Sequence, residues 1–278
     1  MGWILKPTFF NPNLPPEFLP SELIYKPETY HLYKKTVFES ALEEDFLRPW
    51  IVKGHTGTGK TTMTVELIRE FDGKYGDLKF VYMSMKGIAK RSQFFEHLFR
   101  LLLPQSVGLP KKYMKDLSFI GLSQILKDLK IRVLLFIDDA EYLLNKRAFG
   151  PDFIHALVRF YTETSEADLK PVLISNKNIV AHLREDTKSS IGPNYFVFKL
   201  YNAKDLAEIV KKRVEYCVDK RAFSEDFNEE YFSKYVAAKL VKKVGEIGIA
   251  GRGLSRDCLL YTSPSPRDLS TSRMPSSA

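Results

Sequence analysis

The chain has 278 residues, 44% hydrophobic and 27% charged, with a net charge of +8. Those are ordinary proportions for a folded soluble protein, in a length that suits one large domain or one domain with a small appendage. No run approaches the roughly 18 uncharged apolar residues that span a bilayer, the segment Met1–Pro7 lacks the basic start and long apolar core of a secretory leader, and two cysteines, Cys217 and Cys258, cannot make a disulfide framework. A cytoplasmic, membrane-free protein is expected, and the basic balance favours a polyanionic partner without bearing on the fold.

Residues 1–22 are rich in Pro and Phe without a period and read as an extended arm. Residues 28–46 predict a helix ending before Pro49, and Trp50 to Lys53 a short buried strand that runs into a glycine loop. Helical spacing follows from Thr61 to Phe71, a strand from Leu78 to Met85, helices over Phe94–Leu103 and Leu117–Leu129, and an apolar strand from Arg132 to Ile137. Asp152 to Thr164 predicts a helix, Pro171 to Ser175 and Tyr195 to Leu200 two more strands. Strands alternating with helices imply an α/β fold with a parallel sheet covered on both faces. After Tyr201 the pattern is helical only, over Ala203–Asp219 and about 228–243, which marks a second, all-helical subdomain.

Three places carry chemistry. The loop Gly54, His55, Thr56, Gly57, Thr58, Gly59, Lys60, Thr61, with Thr62 behind it, is a P-loop set between a predicted strand and a predicted helix. Its glycines permit positive φ, so that backbone N–H groups turn toward phosphate oxygens. The helix start adds its dipole, Lys60 supplies a positive charge for the β and γ phosphates, and the Thr61 hydroxyl is a magnesium ligand. The strand Val133–Ile137 delivers Asp138 and Asp139 to the carboxyl edge of the sheet, Asp138 to hold magnesium and Asp139 in the place where a longer Glu polarises the attacking water. With Asp one methylene shorter, slow hydrolysis is expected, or help from Glu141. Asn176, at the tip of the strand Val172–Ser175, is placed to orient water near the γ-phosphate, though Asn is also a common turn residue. The five histidines show no metal-ligand spacing. ATP and Mg²⁺ are the cofactors this set implies.

Together these residues resemble an AAA+ ATPase, and within that fold the archaeal origin-recognition and cell-division-control type of replication initiator. The likeness runs over about residues 11 to 257 and rests on the GHTGTGKTT loop, FIDDAEYL, LISNKNIV, the run Lys188 to Pro193, and Phe198 to Ala203. It implies a P-loop core over 23–200 and a helical lid over 201–257. It also gives Asn176 the place of sensor 1 and Arg256 that of the sensor 2 arginine, and it implies double-stranded origin DNA as a partner, with a replicative helicase and other initiator subunits beside it. Asp186 stands where the family has an arginine, leaving Arg184 or Lys188 as candidates for a finger toward a neighbour. Lys111, Lys112 and Lys115 fall where the family carries a DNA-contacting helix and suit phosphate contacts, or form a solvated cluster. From Cys258 to Asp268 the text resembles a translated transposon-end sequencing adapter, with Ser272 to Ala278 like the flow-cell end of that adapter. On that reading 258–278 is a non-native tail to be left out of fold reasoning, and the natural chain is cut at 257, before the winged-helix domain that the family carries. Two other readings stay open, a signalling or transposition-helper ATPase of the same superfamily (STAND-type) and an adaptor that holds nucleotide without hydrolysing it.

Overall fold

In the computed structural model the described residues are 18–43, 47–103, 115–145, 147–160 and 168–202, with single positions at 113, 205, 208, 209, 211, 212 and 216. The arm up to residue 17, Lys111 and Lys112, the helix expected at 228–243, Arg256 and the adapter-like tail lie outside them. The chain divides into two compact units: Glu28–Gly54 with Gly59–Lys199, and Met1–Pro27 with His55–Thr58 and Leu200–Ala278.

The first unit is built on a parallel sheet of β1 (Trp50–Gly54), β2 (Leu78–Ser84), β3 (Arg132–Asp138), β4 (Leu169–Ser175) and β5 (Tyr195–Phe198) in the order β2-β3-β4-β1-β5. β3 is buried at every position after Arg132, as a continuous apolar run demands of a strand covered on both faces. Sequence places β1 first, yet it lies between β4 and β5, while β2 lands at the far edge with β3 and β4 in between. The order therefore reverses beside β1, and a crevice at the carboxyl ends of β1 and β4 is where ligands bind in such sheets. In register, Lys53 lies opposite Ser175 on β4, and Ser84 opposite Asp138 on β3.

Alternate residues of the strands feed two different cores. Val133, Leu135 and Ile137 join an apolar cluster under α4 (Arg91–Leu102), α5 (Phe119–Leu129) and α6 (Gly150–Val158). On the other face Tyr33 of α1 (Glu28–Tyr33) and Phe71 of α3 (Lys60–Phe71) enter an aromatic cluster, with α2 (Ser40–Glu43) following Phe38 in the chain. At its centre Phe38 stacks on Phe136 at 4.8 Å and on Phe80 at 5.3 Å. Truncating a fully buried ring of this kind to Ala costs about 3–5 kcal/mol.

The helix expected over 28–46 is interrupted by a π turn, Lys34–Glu39. The Ser40 N–H donates to Lys35 O, five residues back, and the Ser40 hydroxyl takes Thr36 O at 2.6 Å, the carbonyl the N–H would otherwise have used. The turn carries Val37 and Phe38, both wholly buried. α4 begins three residues before the first expected position because Gln93 Oε1 accepts the N–H groups of Ala89 and Lys90 at 2.9 and 3.0 Å. The helix expected to reach Thr164 ends at Val158. Phe160 is still buried, so the apolar spacing outlasts the helix, whose last turn tightens through Phe160 N–H to Leu157 O. The strand expected to Leu200 stops at Phe198. A helix absent from the expectations, α7 (Glu185–Ile191), buries only Thr187 and Ile191 and so leaves no apolar period to read.

In the second unit Asn202 and Asp205 cap each other: Asn202 N–H donates to Asp205 Oδ2 at 3.1 Å, and Asp205 N–H to Asn202 Oδ1 at 2.9 Å. The described positions from 205 to 216 are helical, as the spacing predicts. Tyr25 donates to Asp205 Oδ1 at 2.9 Å and meets Tyr201 edge-on, both contacts within this second unit.

Candidate functional site

β1 ends at Gly54, and α3 opens on Lys60 directly after Gly59, whose φ of 83° is the left-handed conformation that glycine adopts without strain. Between them His55–Thr58 forms a turn of its own, with Gly57 also at positive φ and the Thr58 hydroxyl donating to His55 O at 2.8 Å. Lys60 is 5% exposed. Its ammonium donates to two neutral oxygens, Gly54 O and Asn176 Oδ1, each at 2.8 Å. Asn176 reaches it because β4, which it follows, is the neighbour of β1. Burial lowers the Lys60 pKa to about 8, against the opposing pull of Asp138, Glu141 and Asp139.

One residue on, the Thr61 hydroxyl donates to Asp138 Oδ2 at 2.5 Å. Tyr82 donates to that same oxygen at 3.1 Å, and the Asp139 N–H to the other, Oδ1, at 2.8 Å. Asp139 sits at φ 53° and starts a short 3₁₀ turn, Ala140–Leu144. Its carboxylate accepts from the Ser84 hydroxyl at 3.4 Å and pairs with the Lys86 ammonium at 3.3 Å. Burial and the neighbouring Asp138 push the Asp139 pKa up, while Lys86 draws it back. Glu141 accepts from the buried Ser175 hydroxyl at 2.8 Å.

Of the residues singled out in the sequence, Gly54, Gly59, Lys60, Thr61, Asp138, Asp139 and Asn176 thus belong to one unit, and the hydrogen bonds above tie Lys60 to Asn176 and Thr61 to Asp138. Thr62 is the next, half-buried residue of α3. His55, Thr56, Gly57 and Thr58 fall in the other unit. Arg184 is engaged locally: its guanidinium grips Asp186 and, through Nη1, Asp152 at 2.7 Å, while Lys188 pairs with Glu185 at 2.6 Å. Sequence reasoning passed over Tyr82, Ser84, Lys86 and Ser175. The first two are strand residues whose polar tips form no motif; only their place opposite the end of β3 identifies them.

Among the described residues no three His, Cys, Asp or Glu side chains gather as a metal cage. A hydroxyl and a carboxylate within hydrogen-bond distance are nonetheless hard oxygen donors, and Mg²⁺ commonly takes only one or two protein oxygens and completes its shell with water and phosphate. Thr61 and Asp138 fit that role.

Residues 48–181 match the family model of an AAA domain. The chain is 25% identical over 205 residues to the ORC1-type DNA replication protein 3 of Saccharolobus solfataricus, covering 69% of this chain and 47% of that protein. The chain thus spans about half the length of the curated relatives it matches. The structure of the Aeropyrum pernix Orc1 protein in complex with DNA superposes with a TM-score of 0.67 at 20% identity, over 93% of this chain and 63% of that one. That of the Aeropyrum pernix ORC2 protein (ADPNP-ADP complexes) gives 0.63 at 15% identity, over 95% and 73%.

Proposed function

We propose, for a chain that is an AAA+ ATPase related to the archaeal ORC1-type replication proteins, that it binds ATP with Mg²⁺, hydrolyses it slowly, and uses the bound nucleotide as a switch in replication initiation on double-stranded origin DNA. The observation that carries this is the pair of contacts side by side at the carboxyl edge of the sheet: Lys60 clasped by Gly54 O and Asn176, and Thr61 bonded to Asp138.

In this reading the loop N–H groups receive the phosphates, and Lys60 exchanges its amide partner for the β and γ oxygens. Asn176 is then released to orient water. Thr61 and Asp138 would hold Mg²⁺, which when bound would supply neutralisation of phosphate charge. Asp139 is the carboxylate available to polarise water, but it is short and already paired with Lys86. Hydrolysis is therefore slow, and the states of the molecule are distinguished by what is bound more than by turnover. The same pairing supports, as the second reading, an adaptor that holds nucleotide without hydrolysing it.

DNA enters the proposal through the charge of +8 and through the Aeropyrum pernix Orc1 protein, solved in complex with DNA. A helicase and other initiator subunits are the protein partners proposed, and the cytoplasm, in association with the nucleoid, is the proposed location. The division into a core over 23–200 and a lid over 201–257, with Arg256 as the lid's reach to the γ-phosphate, is part of the same proposal. The test is a titration of ATP and Mg²⁺ against the wild type and Lys60→Ala. Loss of binding in the variant supports the site; equal affinities would refute it.

A further inference from the structure

The Asp138 side chain is held from more sides than the P-loop partnership requires. Tyr82 lies on β2 opposite Phe136, two positions before the Ser84–Asp138 pair, so it is the diagonal cross-strand neighbour of Asp138. Residues two apart on a strand share a face, so the two side chains stand on one side of this parallel pair, separated by two residues of register. The phenol bridges that gap and donates to Oδ2, the oxygen that Thr61 also uses. Asp138 is 6% exposed, so water contributes little to fixing its orientation.

We propose that Tyr82 is a positioning residue for the magnesium-binding carboxylate, holding Asp138 Oδ2 in place through its phenolic O–H. This rests on the nucleotide reading above. The Thr61 hydroxyl is itself a metal ligand in that reading, so its bond to Asp138 is the one exposed to exchange when metal and nucleotide arrive. The phenol comes from a different strand and is not itself a metal ligand in that reading. A carboxylate that ligates a hard cation through few contacts depends on such outer partners to hold its rotamer. Their loss typically weakens metal affinity 10–100-fold.

The experiment measures ATP binding as a function of free Mg²⁺ for the wild type, Tyr82→Phe and Tyr82→Leu, with binding in excess chelator and ligand-free melting recorded for each. We expect the half-saturating Mg²⁺ concentration to rise about tenfold or more in both variants, with metal-free ATP binding unchanged. In the Asp138→Asn background the Tyr82→Phe shift should vanish, since the two act as one unit. An unmoved Mg²⁺ midpoint in Tyr82→Phe overturns the proposal. So does a shift confined to Tyr82→Leu, which would assign the effect to ring packing, and so does a shift that persists undiminished in Asp138→Asn. A wild type whose ATP binding ignores Mg²⁺ would instead count against the parent reading of the site.

Discussion

Two cations on this molecule are treated in opposite ways. Beside the end of β1 the Lys60 ammonium is buried and donates to neutral oxygens, Gly54 O and Asn176 Oδ1, with Asp138, Glu141 and Asp139 acting on it through the field. At the start of α7 the Arg184 guanidinium is exposed and gripped by the carboxylates of Asp186 and Asp152. Asp186 and Asp152 hold Arg184 above its ordinary pKa, whereas burial takes Lys60 below its own. A charge neutralised by two acids has little left to offer an incoming anion. A charge desolvated against dipoles gains when a phosphate arrives, because the Coulombic attraction is stronger in a drier surrounding. The substitution of Asp186 at the position where the resemblance implies an arginine is thus matched by a local structure that consumes the nearest remaining cation.

The largest effect expected along this contrast is the loss of ATP binding in Lys60→Ala, at least a hundredfold, since a charge-assisted contact and its partner's desolvation are removed together. The next is in pH. The Lys60 pKa is about 8 in the folded chain against 10.5 for a free side chain. A lysine depressed on folding binds fewer protons folded than unfolded between those values, so the cost of its charge is fully present below pH 8 and relieved as pH rises to 10.5. Lys60→Met should therefore melt later than the wild type at pH 7, by up to about 3 kcal/mol, with the advantage shrinking above pH 8. Triphosphate affinity should hold steady below pH 8 and fall up to about tenfold per unit above it, with proton uptake on binding measurable by calorimetry in two buffers. Parallel melting curves of the two proteins across pH 7–10 would contradict the account of Lys60.

Smaller changes probe the carboxylates. Lys86→Met removes the cation from Asp139 and leaves Ser84 in place; single-turnover hydrolysis should rise by about three- to tenfold with ATP affinity unchanged, in the range of one charge-assisted contact. A fall in rate would show that Lys86 supports the base and does not restrain it. The smallest effect is expected for Arg184→Ala, whose exposed ion pairs contribute little; its ATP affinity should match the wild type in the same titration.

Much of this was legible in the chain. The P-loop, the apolar strand ending in Asp138 and Asp139, and the tip residue Asn176 could be read because each couples a local pattern to a strand end, and strand ends share one edge of a parallel sheet. The π turn could not, since Ser40 rewires a helix whose apolar spacing is otherwise regular. α7 could not, because its sequence EDTKSSI buries two residues only. Tyr82 and Lys86 escaped for a different reason: their meaning lies in which strand neighbours β3, and strand order is a tertiary fact. Arg256, the remaining site residue of the resemblance, lies outside the described residues.

The contrast itself can be erased at one atom. Asn176→Asp replaces the neutral oxygen on Lys60 with a carboxylate and gives it a partner of the kind that Arg184 has. Titrating ATP with Mg²⁺ into the wild type and this variant at pH 7 measures whether the neutral Asn176 oxygen on Lys60 matters for what the loop offers a phosphate. The account predicts affinity weaker by at least about tenfold in Asn176→Asp, on the scale of one close like-charge contact with phosphate; equal or tighter binding would contradict it.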